Sequence, residues 1–227
     1  MTEAGLREEI CRVGKSLYDR GLTFGSAGNI SARVPAGWLM TPTNSCLGRL
    51  DPATLSLVDD AGNLLSGDKA TKEAFLHLSM YARRPDAGAI VHLHSTHAVA
   101  VSVLADLDPE NPIPPITAYY VMKIGKLALV PYYAPGDASL ANAVREVADR
   151  HHAVLLANHG PVVAGKDLDT AVYATEELEE TARLYLMLRG QALKLLSPEQ
   201  VAELRRRYPE SESLSPRGAG ADRPKSG

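Results

Sequence analysis

The sequence predicts a single α/β domain, and three observations carry the prediction. Stretches with helical spacing alternate with short apolar runs of strand length along most of the chain. No interdomain linker and no internal repeat breaks the series, and 227 residues are enough for one large domain with a sizeable core. With 45% apolar and 22% charged residues, the composition is that of an ordinary globular protein rather than a disordered or fibrous one.

The elements follow in order. "EAGLREEICRVGKSLYDR", residues 3–20, sets Leu6, Ile10, Val13, Leu17 and Tyr18 on one helical stripe, and Gly21 closes it. The glycine-rich loop "GSAGNISARV" runs into a short alternating strand, and "GWLMTPTN" reads as a second strand ending in a turn. Residues 58–66 form a polar hairpin-like stretch with Gly62-Asn63 at its tip. "TKEAFLHLSMYARRP" has helical spacing through Ala74, Phe75, Leu78 and Tyr81 and is stopped by Pro85. "GAIVHLHS" is a strand and "THAVAVSVLA" a helix, while "PPITAYYVMKIG" reads as extended. "LALVPYY" and "AVLLANHGPVVAG" are further strands, each followed by a helix: "SLANAVREVADRH" and "LDTAVYATEELEETARLYLMLRG". The last helix is the longest and ends at Gly190. From Pro209 onward the residues are Ser, Pro, Gly and charges, so the domain is expected to span 1–208 and residues 209–227 to form a disordered tail.

A net charge of -3 gives no reason to expect nucleic acid or an anionic membrane as partner. No stretch of 18 or more apolar residues is present, which excludes a transmembrane helix. With no basic N-terminal segment leading into an apolar run, no signal peptide is visible. Cys11 and Cys46 are too few for a disulfide framework and lack metal-site spacing, so a reducing cytoplasm is the expected location.

The chemistry gathers around histidines. In "AIVHLHSTHAVAVSVL", His92 and His94 are two apart in a strand, so they project from one face while Leu93 faces the opposite layer. Two imidazoles side by side are poorly protonated together and gain most from sharing a cation, zinc being the commonest with such ligands. His159, at the end of an apolar strand before Gly160-Pro161, is the third candidate. Three protein ligands with one open position is the usual catalytic zinc arrangement. His151 and His152 read as helix-end residues, and His77 and His97 as packing or surface residues. Glu73, at a helix start in "GDKATKE", supplies a carboxylate that could ligate the ion and move protons.

Five segments, "GSAGNIS", "MTPT", "KATKE", "VHLHSTHA" and "LLANHGPVVAG", resemble in order and spacing the class II aldolase/adducin family, over about residues 5–207. The resemblance implies an α/β/α layered fold with a central, largely antiparallel sheet flanked by helices. It also implies one zinc or other divalent cation per subunit on His92, His94 and His159, with Glu73 as fourth ligand and proton carrier. Gly28, Asn29, Thr43, Asn44, Thr71 and Lys72 would then surround a substrate phosphate. The residues agree: a glycine loop exposes N–H groups, Asn29 and Thr43 add donors, a helix start presents its positive end, and Lys72 adds a charge. Asn44 stands where many relatives have glycine, and asparagine tolerates the same left-handed backbone.

Within the family, "LGRLDP", "SGDKATKEAFLHLSMY", "PPITAYYVMKIG" and "PYYAPGD" look most like its decarboxylating branch. Thr71-Lys72 replaces the serine pair usual in the sugar-phosphate aldolases. The implied activity is decarboxylation of a 3-oxo-tetronate 4-phosphate to dihydroxyacetone phosphate through an enediolate held by the metal ion. A class II sugar-phosphate aldolase or pentulose-phosphate epimerase is the alternative. A non-catalytic adducin-like module is weaker, because such a module would be expected to have lost metal ligands; an unrelated zinc hydrolase is weaker still. The resemblance further implies a homotetramer in which a tyrosine reaches a neighbour's site. Tyr119 and Tyr120 are the candidates, because adjacent residues of an extended segment face opposite sides.

Overall fold

The computed structural model describes residues 1–134 and 137–208. The expectation for the tail, 209–227, lies outside the described residues. Among them eight strands form: β1 (Asn29–Val34), β2 (Gly37–Met40), β3 (Ser56–Val58), β4 (Leu64–Ser66), β5 (Ala89–His92), β6 (Leu127–Val130), β7 (Ala153–Leu156) and β8 (Gly160–Gly165). They join in one sheet of order β4-β3-β2-β1-β5-β8-β7-β6. Each adjacent pair is antiparallel except β6 with β7. That parallel pair is joined through a helix, as a parallel connection requires. The helices are α1 (Glu3–Asp19), α2 (Ala74–Arg83), α3 (Thr96–Ser102), α4 (Ala118–Lys123), α5 (Ala138–Ala148), α6 (Leu168–Leu188) and α7 (Pro198–Arg207), with a 3-10 turn at Leu47–Arg49.

The strand alternation sorts the core into two layers. Ile90, Val154, Leu156, Val162 and Ala164 face α2 (Leu76, Met80) and α5 (Leu140, Val144). On the other side, Ala89, Val91 and Leu93 meet α1 through Ile10, Val13 and Leu17. Farther along that side, Leu155 and Val163 meet α6 through Ala174, Leu178 and Ala182. Burying each large aliphatic side chain contributes about 1.5–3 kcal/mol, so both faces must be covered and the α/β/α layering follows. Leu93 faces α1, as the alternation predicts, which leaves His92 and His94 on the α2 side.

Three readings need correction. "AVLLANHGPVVAG" is two strands, β7 and β8, paired antiparallel around a turn at residues 157–159. Asn158 makes the reversal with a φ of 57°, a conformation asparagine tolerates. "PPITAYYVMKIG" is not extended: Thr117 caps α4 by accepting the Tyr120 N–H at 3.1 Å. The two tyrosines still diverge, because successive helical positions are about 100° apart. Tyr120 is 2% exposed and packs in the core, whereas Tyr119 is 63% exposed. Finally α7 was not anticipated, although Ser197-Pro198-Glu199-Gln200 carries its start: a serine cap, proline at the first turn and a reciprocating glutamine.

Candidate metal centre

The sheet register builds the centre. β5 runs between β1 and β8, with His92 opposite Asn29 on one side and Val162 on the other. The strand ends at His92, but Leu93 N–H still donates to Pro161 O at 3.3 Å, so the chain continues beside β8 as far as His94. The β7–β8 turn brings His159 to the same end of the sheet. Glu73, the residue before α2, comes down from the helical layer.

Four side-chain atoms converge. His92 Nε2 and His94 Nε2 are 3.2 Å apart, and His94 Nε2 and His159 Nε2 are 3.1 Å apart. Glu73 Oε2 lies 3.4 Å from His92 Nε2, and Glu73 Oε1 lies 3.1 Å from His159 Nε2. All four ligand atoms fall within 4.8 Å of one another. A tetrahedral ion at 2.0–2.1 Å from nitrogen and oxygen ligands has ligand–ligand edges of roughly 3.3 Å, close to these four distances. His92 Nδ1–H donates to Pro161 O at 2.8 Å, which fixes its tautomer and leaves Nε2 with a free lone pair toward the others. The donor set therefore fits a divalent cation.

Electrostatics agree. Burial pushes the His94 imidazole down, with help from His92 and His159, to about 4. Burial would push the Glu73 carboxyl up, but its close contacts with His159 and His92 outweigh that and hold it well below the ordinary carboxylate value. A neutral imidazole and an ionised carboxylate are the states that bind a cation.

The other histidines stand apart. His97 Nδ1 is 2.8 Å from Glu179 Oε1, and the same carboxylate accepts the His97 and Ala98 backbone N–H groups at the start of α3. His151 and His152 contact main-chain carbonyls, Lys126 O for the first and Ala164 O and Ile124 O for the second. His77 was read as a packing or surface residue. It is fully buried and hydrogen-bonded, at 2.5 Å from Asn29 Oδ1 and 2.6 Å from Ser31 Oγ.

Two cavities open on the cluster. Gly28, Asn29, Thr43, Asn44, Thr71 and Lys72, gathered from three separate sequence segments, line one of about 440 Å³ whose wall includes Glu73 and His94. Gly28 and Asn44 take positive φ, 78° and 57°. A Cβ at Gly28 would sit 3.0 Å from His92 O, so a side chain there would press the loop away from β5 by a few tenths of an ångström. α2 itself begins at Ala74, three residues after Thr71. Asn29 differs from expectation: its Nδ2 donates to Glu73 Oε2 at 2.7 Å, so at most its second N–H is available in this cavity. The other cavity, about 630 Å³, shares Glu73, His94 and His159 and is walled by Phe24, Val99, Tyr132, Tyr133 and Asn158. These residues were not singled out from the sequence, although "PYY" and "NHG" contain three of them. Among the described residues, neither Tyr119 nor Tyr120 lines either cavity.

The family model described as Class II Aldolase and Adducin N-terminal domain matches residues 8–186. The chain belongs to the class II aldolase and adducin family. A 3-oxo-tetronate 4-phosphate decarboxylase of Haemophilus influenzae is 49% identical over 208 residues, covering 91% of this chain and 99% of the relative. An L-fuculose phosphate aldolase of the same organism is 34% identical over 206 residues, covering 88% and 92%. The crystal structure of YgbL from Klebsiella pneumoniae superposes with a TM-score of 0.88 at 49% identity, covering 90% of this chain and all of that one. In this class II aldolase/adducin member, four convergent donor atoms lie beside a cavity rich in hydrogen-bond donors.

Proposed function

We propose that this chain is a divalent-metal-dependent carboxy-lyase that converts a 3-oxo-tetronate 4-phosphate to dihydroxyacetone phosphate and carbon dioxide. The observation that carries the reading is the shared wall. Glu73 and His94 belong at once to the three-imidazole cluster and to the cavity that holds Gly28, Thr43, Asn44, Thr71 and Lys72. A substrate phosphate seated there puts the adjacent carbons of a four-carbon acid beside the cluster. Near-half identity to a decarboxylase, against 34% to an aldolase, supports this branch of the family.

His92, His94, His159 and Glu73 would hold the ion, which we take to be zinc from its preference for imidazole ligands in tetrahedral array. When bound, it supplies a Lewis acid for the electron pair left when carbon dioxide departs. The protein does the rest. The N–H groups of the Gly28 and Asn44 turns, the hydroxyls of Thr43 and Thr71 and the Lys72 ammonium bind and orient the phosphate. The substrate carries its carboxylate on C2 and a ketone at C3, so loss of C1 leaves a C2–C3 enediolate. Glu73, at the junction of the two cavities, would take up a proton from solvent once substrate displaces it from the donor set, and deliver that proton to C2.

By the same reading the enzyme works in the cytoplasm as a homotetramer. Tyr119, not the buried Tyr120, is the residue that reaches toward a neighbour's centre, and its 63% exposure on α4 supports that choice. The test is incubation of metal-loaded protein with 3-oxo-tetronate 4-phosphates of either C2 configuration, with L-fuculose 1-phosphate in parallel. Dihydroxyacetone phosphate should form from one of the acids. Aldehyde release from the ketose phosphate with no reaction of either acid would select the aldolase alternative.

A further inference from the structure

Two stripes of polar residues face each other beside the metal centre. On α2 and its cap, Glu73, His77 and Tyr81 are spaced by four and so lie on one side of the helix. On β1, Asn29 and Ser31 are spaced by two and so lie on one side of the strand. The stripes interlock in one continuous chain of contacts. Tyr81 Oη is 2.9 Å from Ser31 Oγ, and Ser31 Oγ is 2.6 Å from His77 Nδ1. His77 Nε2 is 2.5 Å from Asn29 Oδ1, and Asn29 Nδ2 is 2.7 Å from Glu73 Oε2.

The donors in this chain have only one consistent direction. An ionised carboxylate accepts only, so Asn29 must turn its NH₂ toward Glu73 and its carbonyl toward His77. His77 then carries its proton on Nε2 and accepts at Nδ1 from the Ser31 hydroxyl. The Ser31 oxygen in turn accepts from Tyr81. At the far end Tyr81 is held by stacking on Trp38 at 3.8 Å between ring centroids, with the Arg33 guanidinium 4.1 Å above the Trp38 ring. Every bond points toward the carboxylate, and the anchor lies beyond its reach.

We propose that His77 is a positioning residue: through Asn29 it fixes the Glu73 carboxylate in the orientation that completes the metal centre. The proposal rests on reading the cluster as a metal site. It gives Asn29 a task besides any contact with phosphate, and it explains how a flexible glutamate keeps both oxygens aimed at His92 and His159. Partners of this kind behind a ligand typically affect metal affinity or activity by 10–100-fold.

The experiment uses the full chain stripped by chelation and titrated with Co²⁺, read by visible absorption and by turnover. His77→Phe keeps the ring volume and removes both hydrogen bonds, whereas His77→Gln keeps an N–H able to reach Asn29. His77→Phe should bind Co²⁺ about 10–100-fold more weakly, with a spectrum moved toward that of Glu73→Gln and a fall in kcat larger than any rise in KM. His77→Gln should recover part of each. Adding Asn29→Ala to His77→Phe should weaken Co²⁺ binding little further, because both cut the same chain. A folded His77→Phe protein with the parent's spectrum and affinity would overturn the proposal, as would fully additive losses in the double variant. If His77→Phe fails to fold, Ser31→Ala reads the same chain with little change of volume, and an unchanged Co²⁺ spectrum there would overturn it too. A parent that takes up no Co²⁺ would instead overturn the metal reading beneath it, and the proposal with it.

Discussion

Gly160 follows His159 and opens β8 with a φ of 153°, a backbone region that side chains rarely enter. A Cβ placed there would lie 2.3 Å from Leu93 O and 3.3 Å from the His94 Cα. Leu93 is the residue between two of the candidate ligands, so Gly160→Ala presses the β7–β8 turn against the segment that carries His92 and His94. The unfavourable backbone adds about 1–3 kcal/mol and the overpacking a similar amount, together on the order of 2–6 kcal/mol. That is a large share of a typical stability of about 5–15 kcal/mol. Relief comes by moving β8 away from β5, which separates His159 from its partners, and a displacement of about 1 Å at a reacting centre can lower rate ~100-fold. Thermal denaturation and metal titration of the variant should show both losses. Gly21→Ala is the control: φ is 76° there, but nothing lies within 4 Å of the added methyl, so only a penalty of about 1–2 kcal/mol is expected. A Gly160→Ala protein with the parent's melting temperature and metal affinity would refute the close-packing argument.

Three further outcomes are expected. His159→Ala should lose its bound divalent ion by elemental analysis, whereas His97→Ala, whose ring is taken by Glu179, should keep it; full occupancy in the His159 variant would remove that residue from the site. Lys72→Met should raise KM for the phosphorylated acid about tenfold, discounted for the lysine's exposure, and leave metal content alone; an unphosphorylated analogue turned over equally well by the parent would mean the anion cavity is misread. His152, which burial pushes down to about 4, stays neutral in the folded protein while the unfolded imidazole takes a proton below about 6.5. Stability of the metal-free chain should therefore fall by roughly 3 kcal/mol between those pH values and level off below the lower one. Denaturant titrations of parent and His152→Gln should show a flatter pH dependence in the variant, and identical slopes would contradict the assignment.

How legible all this was depended on whether a local period carried the information. The spacing of two in His92-Leu93-His94 put both imidazoles on one face, and the fold keeps them there even though β5 ends at His92. Apolar periodicity located α1, α2, α5 and α6, and the turn at Gly62 was written in its residue type. The left-handed conformation at Asn44 follows from asparagine's tolerance of it. His159 at a strand end and Glu73 at a helix start were candidates from their residue types and places, and the family resemblance tied them to the pair, because their proximity depends on which strands become neighbours. Glu73, His77 and Tyr81 share a helical period too, but Tyr81 was read with the apolar stripe and His77 as a packing or surface residue, and the shared spacing gains meaning only once β1 is known to cover it. α4 was missed because its adjacent tyrosines were placed in an extended segment, whereas Thr117 in fact starts a helix. The aromatic wall of the larger cavity assembles from distant loops with no shared period, so nothing local announced it.

The central claim is that the His92, His94, His159 and Glu73 cluster, served by the adjoining anion cavity, carries out decarboxylation. The most direct measurement follows carbon dioxide and dihydroxyacetone phosphate together from one 3-oxo-tetronate 4-phosphate. The parent would be assayed as prepared, after chelation and after Zn²⁺ is restored, with Glu73→Gln alongside. The account predicts one carbon dioxide per dihydroxyacetone phosphate, loss of both on chelation, recovery with the ion, and a fall of roughly 10²–10⁴-fold in the Glu73 variant. Product formation that survives complete metal removal, or near-parental turnover by Glu73→Gln, would contradict it.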